Sequence, residues 1–198
     1  MESREKILRA ALRIFLEKGY DAASMNDVVR ESKFTKGGIY HYFNNKEQLF
    51  IEAIDLLFRE FEQWEMELYE SSSSLQEIVR NYFNSLAGVS VFLNRVVESE
   101  NINEYNFYML MVDALVKFPI LRQKHFEVHH RNQEAFIELL RRAKDNNEIR
   151  KDIECDTLAF MISALGEGTM IYHILNAKLD LKETGEKLFD TLWKSITP

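Results

Sequence analysis

Between Ser24 and Lys46 the chain gathers side chains suited to a polyanion: Ser24, Lys33, Thr35, Lys36, Tyr40, His41, Tyr42 and Lys46, with two adjacent glycines at Gly37 and Gly38. Ammonium, hydroxyl and imidazole groups donate hydrogen bonds to phosphate oxygens, and a lysine can also donate to guanine O6 and N7 on the major-groove edge. Lys36 is the candidate for a base-edge or phosphate contact. Tyr40 and His41 extend from the same exposed face toward phosphate or base edges. Thr35 can satisfy the amides of a helix start or hand its hydroxyl to a phosphate. Ser24 and Lys46 stand at helix starts, in reach of the sugar–phosphate backbone. Gly37 and Gly38 lack side chains, so a helix start built on them can approach a duplex closely and turn its amides toward phosphate. Each costs a helix ~1 kcal/mol against alanine, a cost that fits a need for close approach.

To present these groups the chain needs two short helices meeting at a tight turn. Ser24 is a good N-cap, with Asp27 placed three residues on as in a capping box, and Met25, Val28 and Val29 face inward. Phe34 fills the turn, and Thr35 caps a two-turn helix whose buried face is expected at Ile39, Tyr42 and Phe43, which sets Tyr42 partly in the core. A preceding helix, from about Ser3 to Lys18, carries Ile7, Ala11, Ile14 and Phe15 on one stripe and stops at Gly19 in a left-handed conformation. Two such helices across a turn are how a protein offers a helix to a DNA groove.

The segment Gly37-Gly38-Ile39-Tyr40-His41-Tyr42-Phe43, followed by Lys46-Glu47-Gln48-Leu49-Phe50, resembles the TetR family of bacterial transcriptional regulators. The resemblance covers about residues 3–50. Beyond them it rests on helix order, length and a small-residue segment near Gly166 and Gly168. It implies that the first three helices bind DNA and that the remainder forms an effector pocket and a dimer interface, a division into residues 1–46 and 47–198. It further implies a homodimer on a palindromic operator, a repressor released by a small, largely apolar or aromatic effector, and not an enzyme. One departure stands in the turn, where many family members have glycine and this chain has Lys33. A left-handed conformation there costs a non-glycine residue ~1–2 kcal/mol; either the turn tolerates it or Lys33 adds phosphate affinity.

The remaining sequence predicts an all-α chain of nine or ten helices. Asn44 and Asn45 end the third helix and cap a long one, along which Leu49, Ala53, Leu57, Phe61, Trp64 and Leu68 keep helical spacing over about 25 residues, or roughly 37 Å. Ser71–Ser74 reads as a linker, and Ser74 with Glu77 as a capping box. Gly88 bends or divides the helix that follows, and the β-branched residues of Val89–Val97 blur the pattern there. Asn101–Asn103 marks a loop, 104–117 a short helix, Pro119 the start of a long helix to about Asp145, and 156–176 another. Asp180 with Glu183 caps the last, which ends near Ile196.

Composition bounds the function. A net charge of −7 is unpromising for a DNA binder, yet residues 1–50 hold nine Lys/Arg against seven Asp/Glu while residues 51–198 hold sixteen against twenty-five. Acid held away from the DNA face limits non-specific adhesion. No apolar run is expected to reach the roughly 18 residues that span a bilayer, and the N-terminus begins an amphipathic helix instead of a signal peptide. The single cysteine, Cys155, excludes an internal disulfide and suits a reducing cytoplasm. No cofactor-binding fingerprint, phosphate loop, nucleophile elbow or zincin motif occurs.

Two further sets of candidates follow. Trp64, Phe92, Tyr108, Met111 and Phe126 are candidates for lining an apolar effector pocket, with methionine supplying adaptability. Phe160, Ala164 and Gly168 on one helix, and Leu188 and Leu192 on the last, are candidates for the dimer interface; the apolar stripe that adds Phe189, Trp193 and Ile196 is too wide for a single core contact. By resemblance these two helices pair with their mates in a four-helix bundle. His125 and His129 share a helix face with metal-ligand spacing, and His130 is adjacent, but no third ligand is apparent, so no metal is expected. Two rival functions remain at this level: a DNA-bound protein that recruits a protein partner without an effector, and a metal-dependent helical enzyme using His125 and His129.

Overall fold

The computed structural model describes residues 3–70, 72–99, 102–176 and 178–198, with the side chains of 68–70 left aside. Ser71 of the serine linker, Asn101 of the loop and the Leu68 side chain thus lie outside the described residues. Among those described, ten α-helices and no strand occur: α1 Ser3–Ala22, α2 Met25–Ser32, α3 Lys36–Tyr42, α4 Lys46–Glu70, α5 Leu75–Ser85, α6 Val89–Val97, α7 Glu104–Lys117, α8 Pro119–Asp145, α9 Cys155–Leu175 and α10 Leu181–Ile196. A single 3₁₀ turn, Leu86–Gly88, separates α5 from α6 at the expected glycine.

Caps explain most boundaries. Ser74 Oγ accepts the Glu77 amide at 3.2 Å, and Asp180 Oδ1 accepts that of Glu183 at 3.0 Å. Asn45 Oδ1 accepts the Gln48 amide at 2.8 Å while Gln48 Oε1 accepts the Asn44 amide at 2.9 Å, satisfying donors that an α-helix leaves orphaned at its start. Gly19 breaks α1 at φ 73° and ψ 169°, a region open almost only to glycine, and one further helical turn follows it.

The chain divides into two compact units. The first comprises Met1–Gln63 and Ser90–His125. Its core holds Ile7, Leu8, Leu12, Phe15, Val28, Ile39, Phe43, Leu49, Phe50, Ile54, Leu57 and Leu93, all essentially sealed from solvent. Within it α1 packs on α2 and α7, and Arg9 and Arg13 of α1 donate to the Val96 and Val97 carbonyl oxygens at the end of α6. The β-branched run of α6 is helical because Val96 and Val97 are buried here, so packing overrides propensity.

The second unit comprises Trp64–Val89 and Phe126–Pro198. Its main contact sets α10 on α5. Gly166 of α9 admits the Tyr82 hydroxyl: a Cβ there would lie 2.2 Å from that oxygen. One side of α9 is buried through Leu158, Ala159, Ile162, Gly166, Thr169 and Met170, while Phe160, Met161, Ile171, Tyr172 and Leu175 stand exposed on the rest. Apolar on both sides, this 21-residue helix holds an 18-residue stretch with a mean hydropathy of 1.4, and by length and composition alone it is long and apolar enough to cross a bilayer. That corrects the expectation that no run would be; a third of its most apolar stretch is buried inside the protein.

Candidate nucleic-acid interface

The seven residues of α3 could not hold a helix alone; three anchors do so. Thr35, extended at φ −69° and ψ 155°, caps the start, its Oγ1 accepting the Gly38 amide at 3.1 Å. Ile39 and Phe43, four residues apart on one side, are completely buried. What remains outside is Lys36, Gly37, Tyr40, His41 and Tyr42. Tyr42, expected partly in the core, is 37% exposed. Ile39 and Phe43 already fill the buried line, so its ring is left on the outer side, edge-on to His41 with centroids 5.0 Å apart. The Lys36 ammonium lies 5.8 Å over the Tyr40 ring. The two glycines differ. A Cβ at Gly37 would meet nothing within 4 Å, whereas one at Gly38 would lie 3.2 Å from Thr35 Oγ1. Gly38 therefore serves the turn, and nothing within the protein requires Gly37.

Lys33 ends α2 in the left-handed conformation, φ 61° and ψ 13°, with its side chain exposed. The sequence had allowed for this strain, and the chain carries it without glycine. At the other end of α2, Ser24 and Asp27 form a complete capping box. The Ser24 hydroxyl accepts the Asp27 amide at 3.2 Å and donates to its carboxylate at 2.6 Å. That carboxylate also accepts the Lys18 ammonium at 2.8 Å and the Arg30 guanidinium. Lys18 first, and Ser24 after it, hold the Asp27 carboxyl far below the usual carboxylate range. Ser24 is thus engaged at home, though still exposed.

Lys46, placed by the sequence in reach of phosphate, is turned inward. Its ammonium donates to the carbonyl oxygens of Tyr20 at 2.8 Å, Ala23 at 3.0 Å and Asp21 at 3.3 Å. One cation that sequence reasoning passed over is presented instead: the Arg30 side chain, in the last turn of α2, is 74% exposed. A basic residue ending a short helix beside the turn was the available signal.

The other candidates scatter. Of the five proposed for an effector, Phe92, Tyr108 and Met111 belong to the first unit and Trp64 and Phe126 to the second. Phe92 is core, 3% exposed and edge-on to Phe61 at 5.5 Å, whereas Phe126 is 62% exposed and stacks on His130. Trp64, Tyr108 and Met111 are half-buried. A more coherent feature lies on α7, where Tyr105, Met109, Val112 and Val116 are all exposed. Their spacing puts them on one line, away from the buried Leu110 and Ala114. That spacing is legible in the sequence, whereas the expected lining residues Tyr108 and Met111 lie on other lines of the same helix.

Among the dimer candidates Phe160 and Ala164 are exposed, Gly168 and Leu188 half-buried. Leu192 is a correction: it is buried with Phe189 and Ile196 inside the second unit, because α10 turns that line toward α5. His125 stacks on Phe58 at 5.0 Å, and His130 Nε2 lies 3.4 Å from Glu134. No group of three metal-ligating side chains gathers among the described residues.

Comparison with known proteins agrees with this arrangement. Residues 7–53 match the family of bacterial regulatory proteins described as tetR. Over 87 residues the chain is 38% identical to the HTH-type transcriptional regulator YxaF of Bacillus subtilis, covering 43% of this chain and 46% of that one. The chain spans about half the length of the curated relatives it matches. Two solved structures share the fold along nearly the whole chain. A TetR-family transcriptional regulator from Cytophaga hutchinsonii superposes with a TM-score of 0.76 at 20% identity, covering 98% of this chain and 94% of that one. The regulator FadR of Bacillus subtilis, solved with stearoyl-CoA, gives 0.66 at 20% identity, covering 96% and 98%.

Proposed function

We propose that this chain is a regulator of the TetR family, whose model its residues 7–53 match, that it binds an operator as a homodimer through α3, and that it is a repressor released by a small apolar effector. The observation that carries this reading is the outer face of α3, where Lys36, Gly37, Tyr40, His41 and Tyr42 stand clear of the buried Ile39 and Phe43. Lys36 is assigned to a base edge. Tyr40, His41, Tyr42, Lys33 and Arg30 are assigned to phosphates or base edges around it, and the free space at Gly37 lets the duplex approach. Ser24 and Thr35 remain phosphate candidates whose hydroxyls also cap. Such work belongs in the cytoplasm.

A helix of seven residues reads too few base pairs to find one site in a genome, so two copies on half-sites about one helical turn apart are needed. The exposed apolar side of α9, which includes Phe160 and Ala164, supports a pairing surface. Residues 1–46 are then the DNA-binding part and 47–198 the regulatory and dimerising part. For the effector, the α7 line Tyr105–Met109–Val112–Val116 offers uncharged surface on a helix whose other side packs on α1. Tyr108 and Met111, on the same helix, stay as flanking candidates. The fold's likeness to a fatty-acyl-CoA-bound FadR supports an effector with an apolar chain. Binding must favour the released form ~10⁴-fold to move the population from 1:99 to 99:1.

The test is to pass sheared genomic DNA over the immobilised full-length chain and sequence what is retained. A recurrent inverted repeat is expected, released when acyl or aromatic ligands that raise thermal stability are added. Retention without any recurrent sequence overturns the operator reading; ligands that stabilise without releasing DNA favour recruitment of a protein partner instead.

A further inference from the structure

Breaking a helix strands carbonyl groups that would have accepted bonds from the next turn. In α1 the break is at Gly19, and past it the carbonyl oxygens of Tyr20, Asp21 and Ala23 converge on one ammonium, Lys46 Nζ, at 2.8, 3.3 and 3.0 Å. A lysine ammonium has three N–H donors and no more, so all three are engaged. The Tyr20 ring lies beneath the same ammonium, 4.4 Å from its centroid, a favourable cation–π distance. To meet a phosphate the ammonium would have to leave three acceptors and this ring.

Lys46 opens α4, Tyr20 and Asp21 end α1, and Ala23 is the buried residue before the α2 cap. The elbow is gripped from a further direction as well. The Tyr20 ring packs on Phe50 at 4.7 Å and Phe118 at 4.9 Å, and Lys117 pairs with Asp21, so the junction of α7 with α8 holds the same two residues. We propose that Lys46 is a positioning residue: its ammonium ties the broken end of α1 and the entry to α2 to the first turn of α4, fixing how α3 is carried, and it does not contact phosphate. The proposal rests on the reading of α3 as the DNA-binding helix.

Lys46→Met in the full-length chain removes the donors and keeps the length. Three measurements decide. In the protein alone, amide exchange across residues 20–27 should quicken at least tenfold; unchanged exchange overturns the proposal whether or not DNA binds. On a retained genomic duplex, the plot of log affinity against log salt should fall but stay parallel to wild type, since no phosphate contact is lost; a slope smaller by about one means Lys46 does touch phosphate. Discrimination between that duplex and versions with one base pair added or removed between half-sites should drop at least fivefold. An unchanged ratio at a temperature where the variant is folded leaves Lys46 merely structural and overturns the positioning role. Lys46→Gln carries the same readouts should the methionine variant fail to fold. A wild-type chain that retains no duplex refutes the reading of α3 instead, and the exchange measurement still judges the elbow.

Discussion

Gly37 and Gly38 look equivalent in sequence and are not equivalent in the molecule. The Gly38 amide is held by Thr35, and its Cα faces that hydroxyl; Gly37 faces open space. Gly37→Ala should therefore stabilise the free protein by up to about 1 kcal/mol, read by denaturant unfolding, while weakening operator binding at least tenfold. Unchanged affinity would mean that no duplex comes close there. Lys33 carries the opposite compromise, a left-handed residue with a Cβ. Lys33→Gly should gain about 1 kcal/mol of stability and lower the salt slope of DNA binding by about one if its ammonium meets phosphate; a parallel slope assigns it no phosphate. The capping chemistry of Ser24, Asp27 and Thr35 was legible because caps depend on neighbours three residues away. The fate of Lys46 was not: its acceptors lie 23 to 26 residues back, and only the geometry after Gly19 brings them together.

At the scale of elements, boundaries followed from local signals, since Asn, Ser and Asp caps, Gly88 and Pro119 each act within a turn of where they stand. Side assignments fared less evenly. Leu192 changed sides because which line of a helix is buried depends on its neighbours, α5 in the case of α10. The join between α1 and α2 makes a pH-dependent prediction. The Asp27 carboxyl, bound by Lys18 and Ser24, has a folded-state value below its ordinary 3.8, so folding favours its ionised form. Its contribution is complete above that ordinary value and is lost as pH falls toward the folded one. The stability gap between wild type and Asp27→Asn should be constant near neutrality and close progressively below pH 3.8. A gap that persists through strong acid would show that the carboxylate is not held as the geometry implies.

For the whole molecule, the all-α class and the helix order were legible, but the division into two compact units was not. Those units interleave distant segments, with α4 and α8 each supplying residues to both, and no linker composition marks such a division. The pairing proposal predicts a contrast on the second unit. Phe160→Glu, on the exposed side of α9, should convert dimer to monomer in sedimentation while leaving helix content intact; a dimer that survives moves the interface elsewhere. Leu192→Ala, in the core, should cost about 2–5 kcal/mol of stability without first splitting the pair.

The central claim, that α3 enters a major groove twice through a symmetric pair, is tested most directly by purine-methylation interference on a retained operator fragment. Methyl groups on guanine N7 occupy the major groove and those on adenine N3 the minor. Interference is expected at guanine N7 in two symmetric patches whose centres lie about one helical turn or a multiple apart, and it should weaken within both patches for Lys36→Ala. Interference confined to adenine N3, or to a single unpaired patch, would contradict the account.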